Sequence, residues 1–291
     1  MFGFLTLMMA LAGSAQGSAS PGTDCANSYE PLPHAADGET DIALYASARR
    51  PMVMVSIAGK PYIPFAFDTG SSGDLGSLQV AAEVGLPENG PSPSVDGNGV
   101  AVPGFDTCLN GMVVGGVPVA DRRATAFPFD RKDEEGIISP MLFSGSIVKF
   151  DGPARHLTIL AKDTDLSGFG EARNWAGEIG NAHPVMDILI AGQVVEVRLD
   201  SGSDADLILP LEWMEKLPLK SKPTVIGEMQ TASTSVPIYG ERIDGDLTVG
   251  KNTYEDAFVV FAQTQTPLLG WPMMKTMRFY MDPDARVTWF E

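Results

Sequence analysis

Histidine is scarce in this chain, and its cations are outnumbered. His34, His156 and His183 stand far apart, with no His-x-x-x-His or equivalent spacing. A metal centre built on clustered imidazoles is therefore not expected, and neither is any other cofactor. The 20 Lys and Arg face 37 Asp and Glu, for a formal net charge of −17. That balance argues against a basic, phosphate-contacting surface and so against nucleic-acid binding. It reads instead as a solvated acidic surface. Past the first residues, no stretch is long and apolar enough to span a bilayer. Helical periodicity is sparse too, and the 31 Gly and 22 Pro favour short strands and many turns.

The first apolar stretch runs from Phe2 to Ala12 and is followed by small residues from Gly13 to Ala19. It is too short for a membrane span and reads as the core of a signal peptide with several small-x-small cleavage points. It lacks the charged leader, because no Lys or Arg precedes Arg49. The expectation is a signal peptide over residues 1–19 and export to a periplasmic or extracellular space. The competing reading is a buried N-terminal strand or helix. Two cysteines are present, Cys25 and Cys108. In an exported protein they suit one disulfide tying the N-terminal extension to the first half of the chain; two unpaired thiols are the other reading.

What the chain does have is internal repetition. Asp68-Thr69-Gly70-Ser71-Ser72 follows the apolar run Ile63 to Phe67, and Asp200-Ser201-Gly202-Ser203 follows Val194 to Leu199. Ile57-Ala58-Gly59 upstream of the first is answered by Ile190-Ala191-Gly192 upstream of the second. Further matches come in the same order: Val102-Pro103 with Val236-Pro237, Asn110-Gly111 with Asp244-Gly245, Phe127 with Phe261, Ile137-Ile138-Ser139 with Leu268-Leu269-Gly270. Each copy closes on a strand-turn-strand string, one reaching Asp151 and the other Asp282. An ordered set of matches at offsets of 131 to 134 residues points to two homologous β-rich lobes.

These residues resemble aspartic peptidases of the pepsin and retropepsin type. The resemblance rests on the two Asp-Thr/Ser-Gly triplets, on the Ile137-Ile138-Ser139 and Leu268-Leu269-Gly270 strings, and on the closing hairpins. It covers most of the chain beyond residue 50. It implies an all-β fold of two homologous retropepsin-like β-barrel lobes with an interlobe cleft and few short helices. The expected divisions are an extended segment at 20–41, a first lobe at 42–161, a connection at 162–182 and a second lobe at 183–291. Short helical stretches are expected over Leu78–Val84, Leu211–Leu217, Met141–Ser146 and Met273–Met277.

The resemblance also implies a function. Asp68 and Asp200 become a catalytic pair that activates water to cut peptide bonds, in a monomer acting on protein or peptide substrates. Two carboxyls at close range hold one proton between them, an effect for which the aspartic-protease pair is the standard illustration. One carboxyl then takes a proton from water while the other donates to the substrate carbonyl. Thr69 and Ser201 are expected to cross-link the two loops, Gly70 and Gly202 to let backbone N–H groups approach the carboxyls, and Ser71 and Ser203 to bond the outer carboxylate oxygens. Asn98-Gly99 is the candidate tip of a flap over the cleft, without a match to the pepsin-like flap tyrosine. Ser139 departs from the glycine that Gly270 keeps. Asp133-Glu134-Glu135 reads as a solvated loop, and Asp151 and Asp282 as hairpin-turn residues. The alternative function is a catalytically silent relative that binds peptides or a protein partner in the same cleft.

Overall fold

The computed structural model describes residues 10–11, 25, 39–46, 49–92, 94–96, 101, 103–128, 133–178, 181–230 and 235–291. Its architecture is all-β, with curled half-barrel sheets.

The β-branched and apolar run Pro51–Ser56 forms a strand that pairs antiparallel with Ile63–Phe67, from Val55↔Ile63 to Met52↔Ala66. Asp68 lies just past the end of this second strand. The same unit recurs as Val185–Ile190 paired with Gln193–Asp200. In each unit the turn places an Ala and a Gly at positive φ: 51° and 73° at Ala58-Gly59, 46° and 82° at Ala191-Gly192. Left-handed conformation at both central residues suits the twist of a tight hairpin, at a cost of about 1–2 kcal/mol for an L-alanine.

After each Asp loop the chain forms a further strand, Asp74–Ser77 in one half and Leu207–Pro210 in the other. A later strand inserts between it and the Asp-bearing strand. Gly136–Ile138 lies parallel to Ile63–Phe67 and antiparallel to Asp74–Ser77. Leu268–Gly270 does the same between Gln193–Asp200 and Leu207–Pro210. Beyond them lie Arg122–Phe127 and then Phe105–Leu109 in one sheet, Phe258–Ala262 and then Ser235–Arg242 in the other. The inserted strand pulls each Asp loop to the rim of its half-barrel, where Asp68 N donates to Ile138 O at 2.9 Å.

A third, six-stranded sheet joins the halves. Hairpin Ser146–Asp151/His156–Ala161 pairs through its first strand with hairpin Arg278–Asp282/Val287–Phe290, setting Phe150 opposite Phe279. Those two rings stack with centroids 4.7 Å apart, and Phe67 and Trp271 close on Phe150 at 6.3 and 6.1 Å. One hydrophobic cluster thus runs from Ile42 through Phe67 and Phe150 to Met281. Truncating a ring so placed costs about 3–5 kcal/mol. Asp151 Oδ1 accepts from Ala154 N, and Asp282 Oδ1 from the N–H groups of Asp284 and Ala285, so both carboxylates hold hairpin turns.

Some local expectations hold and others need adjusting. Leu78–Val84 is an α-helix, capped by Ser77 and ended by Gly85 in the left-handed region. The other three helical stretches are single turns: 3-10 over Pro140–Phe143 and Leu211–Met214, α over Trp271–Met274. They begin at or before the expected position, because Pro140 and Pro272 fit a first turn. Strand Glu39–Ala43 pairs with His156–Ala161. Ala10–Leu11 pairs with Val95–Asp96, and Asn98-Gly99 lies outside the described residues. Cys25 and Cys108 form a disulfide, with Cα atoms 5.7 Å apart across 83 residues of sequence. No helix among the described residues is long and apolar enough to cross a membrane.

Candidate active site

The two Asp loops meet and lock each other. Thr69 N donates to Ser201 Oγ at 3.0 Å, and Ser201 N donates to Thr69 Oγ1 at 3.0 Å. Each hydroxyl then donates across to the opposite strand: Thr69 Oγ1 to Leu199 O at 2.8 Å, Ser201 Oγ to Phe67 O at 2.7 Å. All four groups are buried, so each bond satisfies polar atoms that water does not reach. A residue without a hydroxyl at either position loses part of this lattice, which is why the residue after each Asp is Thr or Ser.

The cross-link sets each carboxyl against the other's loop, so that Asp68 and Asp200 act on each other electrostatically, while Asp200 Oδ1 has no hydrogen-bond partner among the described residues. Both residues are almost fully buried, 1% and 2% exposed. Gly70 N and Gly202 N converge on Asp68 Oδ1 at 2.8 and 3.2 Å. Close approach explains the glycines. A Cβ on Gly70 would lie 2.7 Å from Asp200 Cγ, and one on Gly202 would lie 2.3 Å from Asp68 Oδ2. The serines behave differently from expectation. Ser71 Oγ donates to Gly73 O at 2.7 Å and Ser203 Oγ accepts from Ala205 N at 3.4 Å, so neither hydroxyl bonds a carboxylate of the pair; each shapes its own turn.

Burial pushes the Asp68 carboxyl up to about 8, and the Asp200 carboxylate beside it pushes the same way; Arg50 and the Gly70 N–H pull back. Burial raises Asp200 as well, against the pull of Arg198 and Arg50. Carboxyls so close in a dry site resist double ionisation, so the pair retains a proton into the neutral range.

Basic residues stand behind both carboxyls. Counted two residues beyond the Met52↔Ala66 pair, the register leads to Arg50 and Asp68, and Arg50 acts electrostatically on the Asp68 carboxyl. The equivalent step past Val185↔Arg198 sets His183 opposite Asp200. Arg50 is 1% exposed and pairs with Glu134, itself 2% exposed, at 2.8 Å. The expectation of a solvated loop at 133–135 is thus wrong at its centre: Glu134 turns inward to neutralise Arg50, while the Glu135 carboxylate accepts from Ser77 Oγ at 2.7 Å. Burial lifts Glu134 to about 7 despite Arg50. His183 is buried and held to Asn181 Oδ1 at 3.0 Å. Burial, with Arg198 nearby, depresses it to about 3, so it is neutral.

Ser139 fits its place without strain. Its φ is −92°, and both its N–H and its hydroxyl donate to Oδ1 of buried Asp74, at 2.9 and 3.3 Å. A Cβ on Gly270, by contrast, would lie 1.9 Å from Ala205 O. The two halves differ here because the first supplies a carboxylate for the serine to bond.

Residues 186–273 match the family model described as Aspartyl protease. The match takes in Asp200, Ser201, Gly202 and the inserted strand Leu268–Gly270, and it supports an aspartyl protease domain in this part of the chain. Asp68 lies outside the matched span, and its place beside Asp200 rests on the geometry above. A search of curated proteins returned no match.

Arg50, Glu134, His183 and Arg198 escaped the reading of the sequence. The signal for three of them was present: counting back along each hairpin from its Asp reaches Arg50 and His183, and Arg198 stands two residues before Asp200. Glu134 carried no such signal, since its partner lies 84 residues away.

Proposed function

We propose that this protein is an aspartic endopeptidase of the two-lobed, tandemly repeated kind, with Asp68 and Asp200 as its catalytic pair. The observation that carries the reading is the reciprocal Thr69–Ser201 lattice, which sets each of two buried carboxyls against the other's loop at the junction of two sheets of like strand order. The aspartyl protease match over 186–273 supports the reaction class. The pair holds one proton. Water bound between the carboxyls loses a proton to the ionised member as its oxygen attacks the peptide carbonyl, and the protonated member donates to the carbonyl oxygen. The tetrahedral intermediate collapses with protonation and departure of the amine, so the products are a carboxylate and an amine. Gly70 N–H and Gly202 N–H hold Asp68 in place, and the hydroxyls of Thr69 and Ser201 fix the loops.

The acting unit is a monomer, because one chain supplies both halves of the pair. Export is part of the proposal, supported by the apolar stretch Phe2 to Ala12 and by the Cys25–Cys108 disulfide, which an oxidising compartment sustains.

The test is cleavage of an unstructured protein from pH 3 to pH 9, with products mapped by mass spectrometry. Internal cuts and an alkaline limb near pH 8, where the retained proton leaves, are expected. Saturable peptide binding with no cleavage at any pH would favour the silent relative.

A further inference from the structure

The face of strand Gln193–Asp200 that turns away from the core carries a cation, Arg198, that makes no side-chain hydrogen bond among the described residues. Val195, Val197 and Leu199 are buried in the core. Val194, Glu196 and Arg198 alternate with them on the other face, and Asp200 ends that face. Exposure falls along it, from 71% at Val194 through partly buried Arg198 to 2% at Asp200. Arg198 therefore stands where the face passes from solvent to the catalytic pair.

Its guanidinium is attracted electrostatically to both Asp200 and Asp68. Among the described residues it makes no side-chain hydrogen bond and no ion pair. Other arginines are committed: Arg50 to Glu134, Arg123 to Asp106, Arg173 to Asp187 and Glu196, Arg278 to Asp151. A partly desolvated cation with a planar fork of donors is costly to leave without hydrogen-bond acceptors, even with the two Asp carboxyls attracting it electrostatically. In the first sheet the residue two before the Asp is Ala66, fully buried and apolar. The residue two before the Asp is thus a cation in one half and a methyl group in the other. Arg50, Glu134 and His183 also act on this region: Arg50 bonds Glu134 and pulls on both carboxyls from its buried place, and His183 is neutral.

We infer that Arg198 is a specificity-determining residue whose guanidinium binds a carboxylate carried by the substrate beside the bond that is cut. The inference rests on the proposed peptidase reading. Two residues along a strand span about 7 Å, the reach of a side chain next to the scissile carbonyl. An Asp or Glu side chain and a free C-terminal carboxylate both satisfy the fork bidentately. The net charge of −17 repels an acidic peptide at long range, but that repulsion is screened beyond about 8 Å at physiological ionic strength, so contact at the site decides.

The experiment uses end-blocked peptides identical except for Glu, Gln or Lys at the residues flanking the scissile bond, plus a matched pair ending in a free carboxylate or an amide. Wild type should prefer Glu to Gln by about 10- to 100-fold in kcat/KM, the range of a charge-assisted hydrogen-bonded pair, with Lys the poorest. In Arg198→Met and Arg198→Gln the Glu-to-Gln ratio should fall to about 1, and Arg198→Lys should restore part of it. A preference confined to the free-carboxylate peptide would assign the site to chain ends. Equal cleavage of Glu and Gln peptides by wild type, or a ratio unchanged in Arg198→Met, overturns the inference while leaving the peptidase reading standing. Calorimetry with non-cleavable reduced-bond analogues separates the two claims. Arg198-dependent preference for Glu in binding, without cleavage of any peptide, supports the carboxylate site and refutes the peptidase.

Discussion

Removing the hydroxyl of Ser201 should loosen both the fold and the site, by an amount the structure bounds. Ser201 Oγ accepts from Thr69 N at 3.0 Å and donates to Phe67 O at 2.7 Å. Ser201→Ala leaves one buried donor and one buried acceptor without partners. Each such orphan costs about 1–3 kcal/mol, so the loss should be about 2–6 kcal/mol. Thr69→Val removes the symmetry-related pair of bonds, to Leu199 O and from Ser201 N, with little change in shape, and should cost a similar amount. The double variant should cost less than the sum, because groups in one network couple. Thr69→Ser keeps both bonds and serves as the control. Urea denaturation at neutral pH measures all four. A loss below about 1 kcal/mol for Ser201→Ala, or full additivity in the double variant, would refute the cross-link as the element that joins the two loops.

Gly202→Ala should destroy activity while leaving most of the fold intact, since its Cβ would sit 2.3 Å from Asp68 Oδ2; wild-type kcat/KM in this variant would contradict the close approach of the loops. His183 contributes a pH term of known sign. Its folded value near 3 lies below its ordinary 6.5, so the unfolded chain binds the extra proton and stability falls as pH drops from 6.5 towards 3. Between pH 6.5 and 5 this amounts to about 2 kcal/mol, and His183→Gln should flatten that part of a stability-versus-pH curve measured by urea denaturation. Replacing Cys25 and Cys108 together with Ser should cost about 2–4 kcal/mol, and reductant should destabilise wild type but not the double variant.

Much of the fold was legible because similar strings recur in the same order along the chain. The turns at Ala58-Gly59 and Ala191-Gly192, the inserted strands ending at Ile138 and Gly270, and the hairpins through Asp151 and Asp282 all sit where the repeated strings place them. Local chemistry sufficed for these: hairpin turns, apolar alternation and small residues at close approaches. The Thr69–Ser201 lattice was legible only through the resemblance to aspartic peptidases, since nothing local says that a hydroxyl reaches a carbonyl about 130 residues away. Glu134 was misread because three acidic residues in a row look solvated, and its burial depends on a distant arginine. Ser71 and Ser203 were assigned to the carboxylates by analogy, but their hydroxyls find nearer partners within their own turns. Ser139 departs from glycine because Asp74 stands ready to accept its N–H and hydroxyl, a compensation that shows only once the strands are side by side.

The most direct test of the central claim is cleavage of one blocked peptide by wild type, Asp68→Asn and Asp200→Asn, with folding of all three verified by circular dichroism and denaturation. Both variants should fold and both should lose cleavage by about a hundred- to ten-thousandfold, since general acid–base catalysis contributes about 10²–10⁴ and each variant leaves the site without a shared proton. Cleavage at the wild-type rate by either folded variant would contradict the paired-carboxyl mechanism.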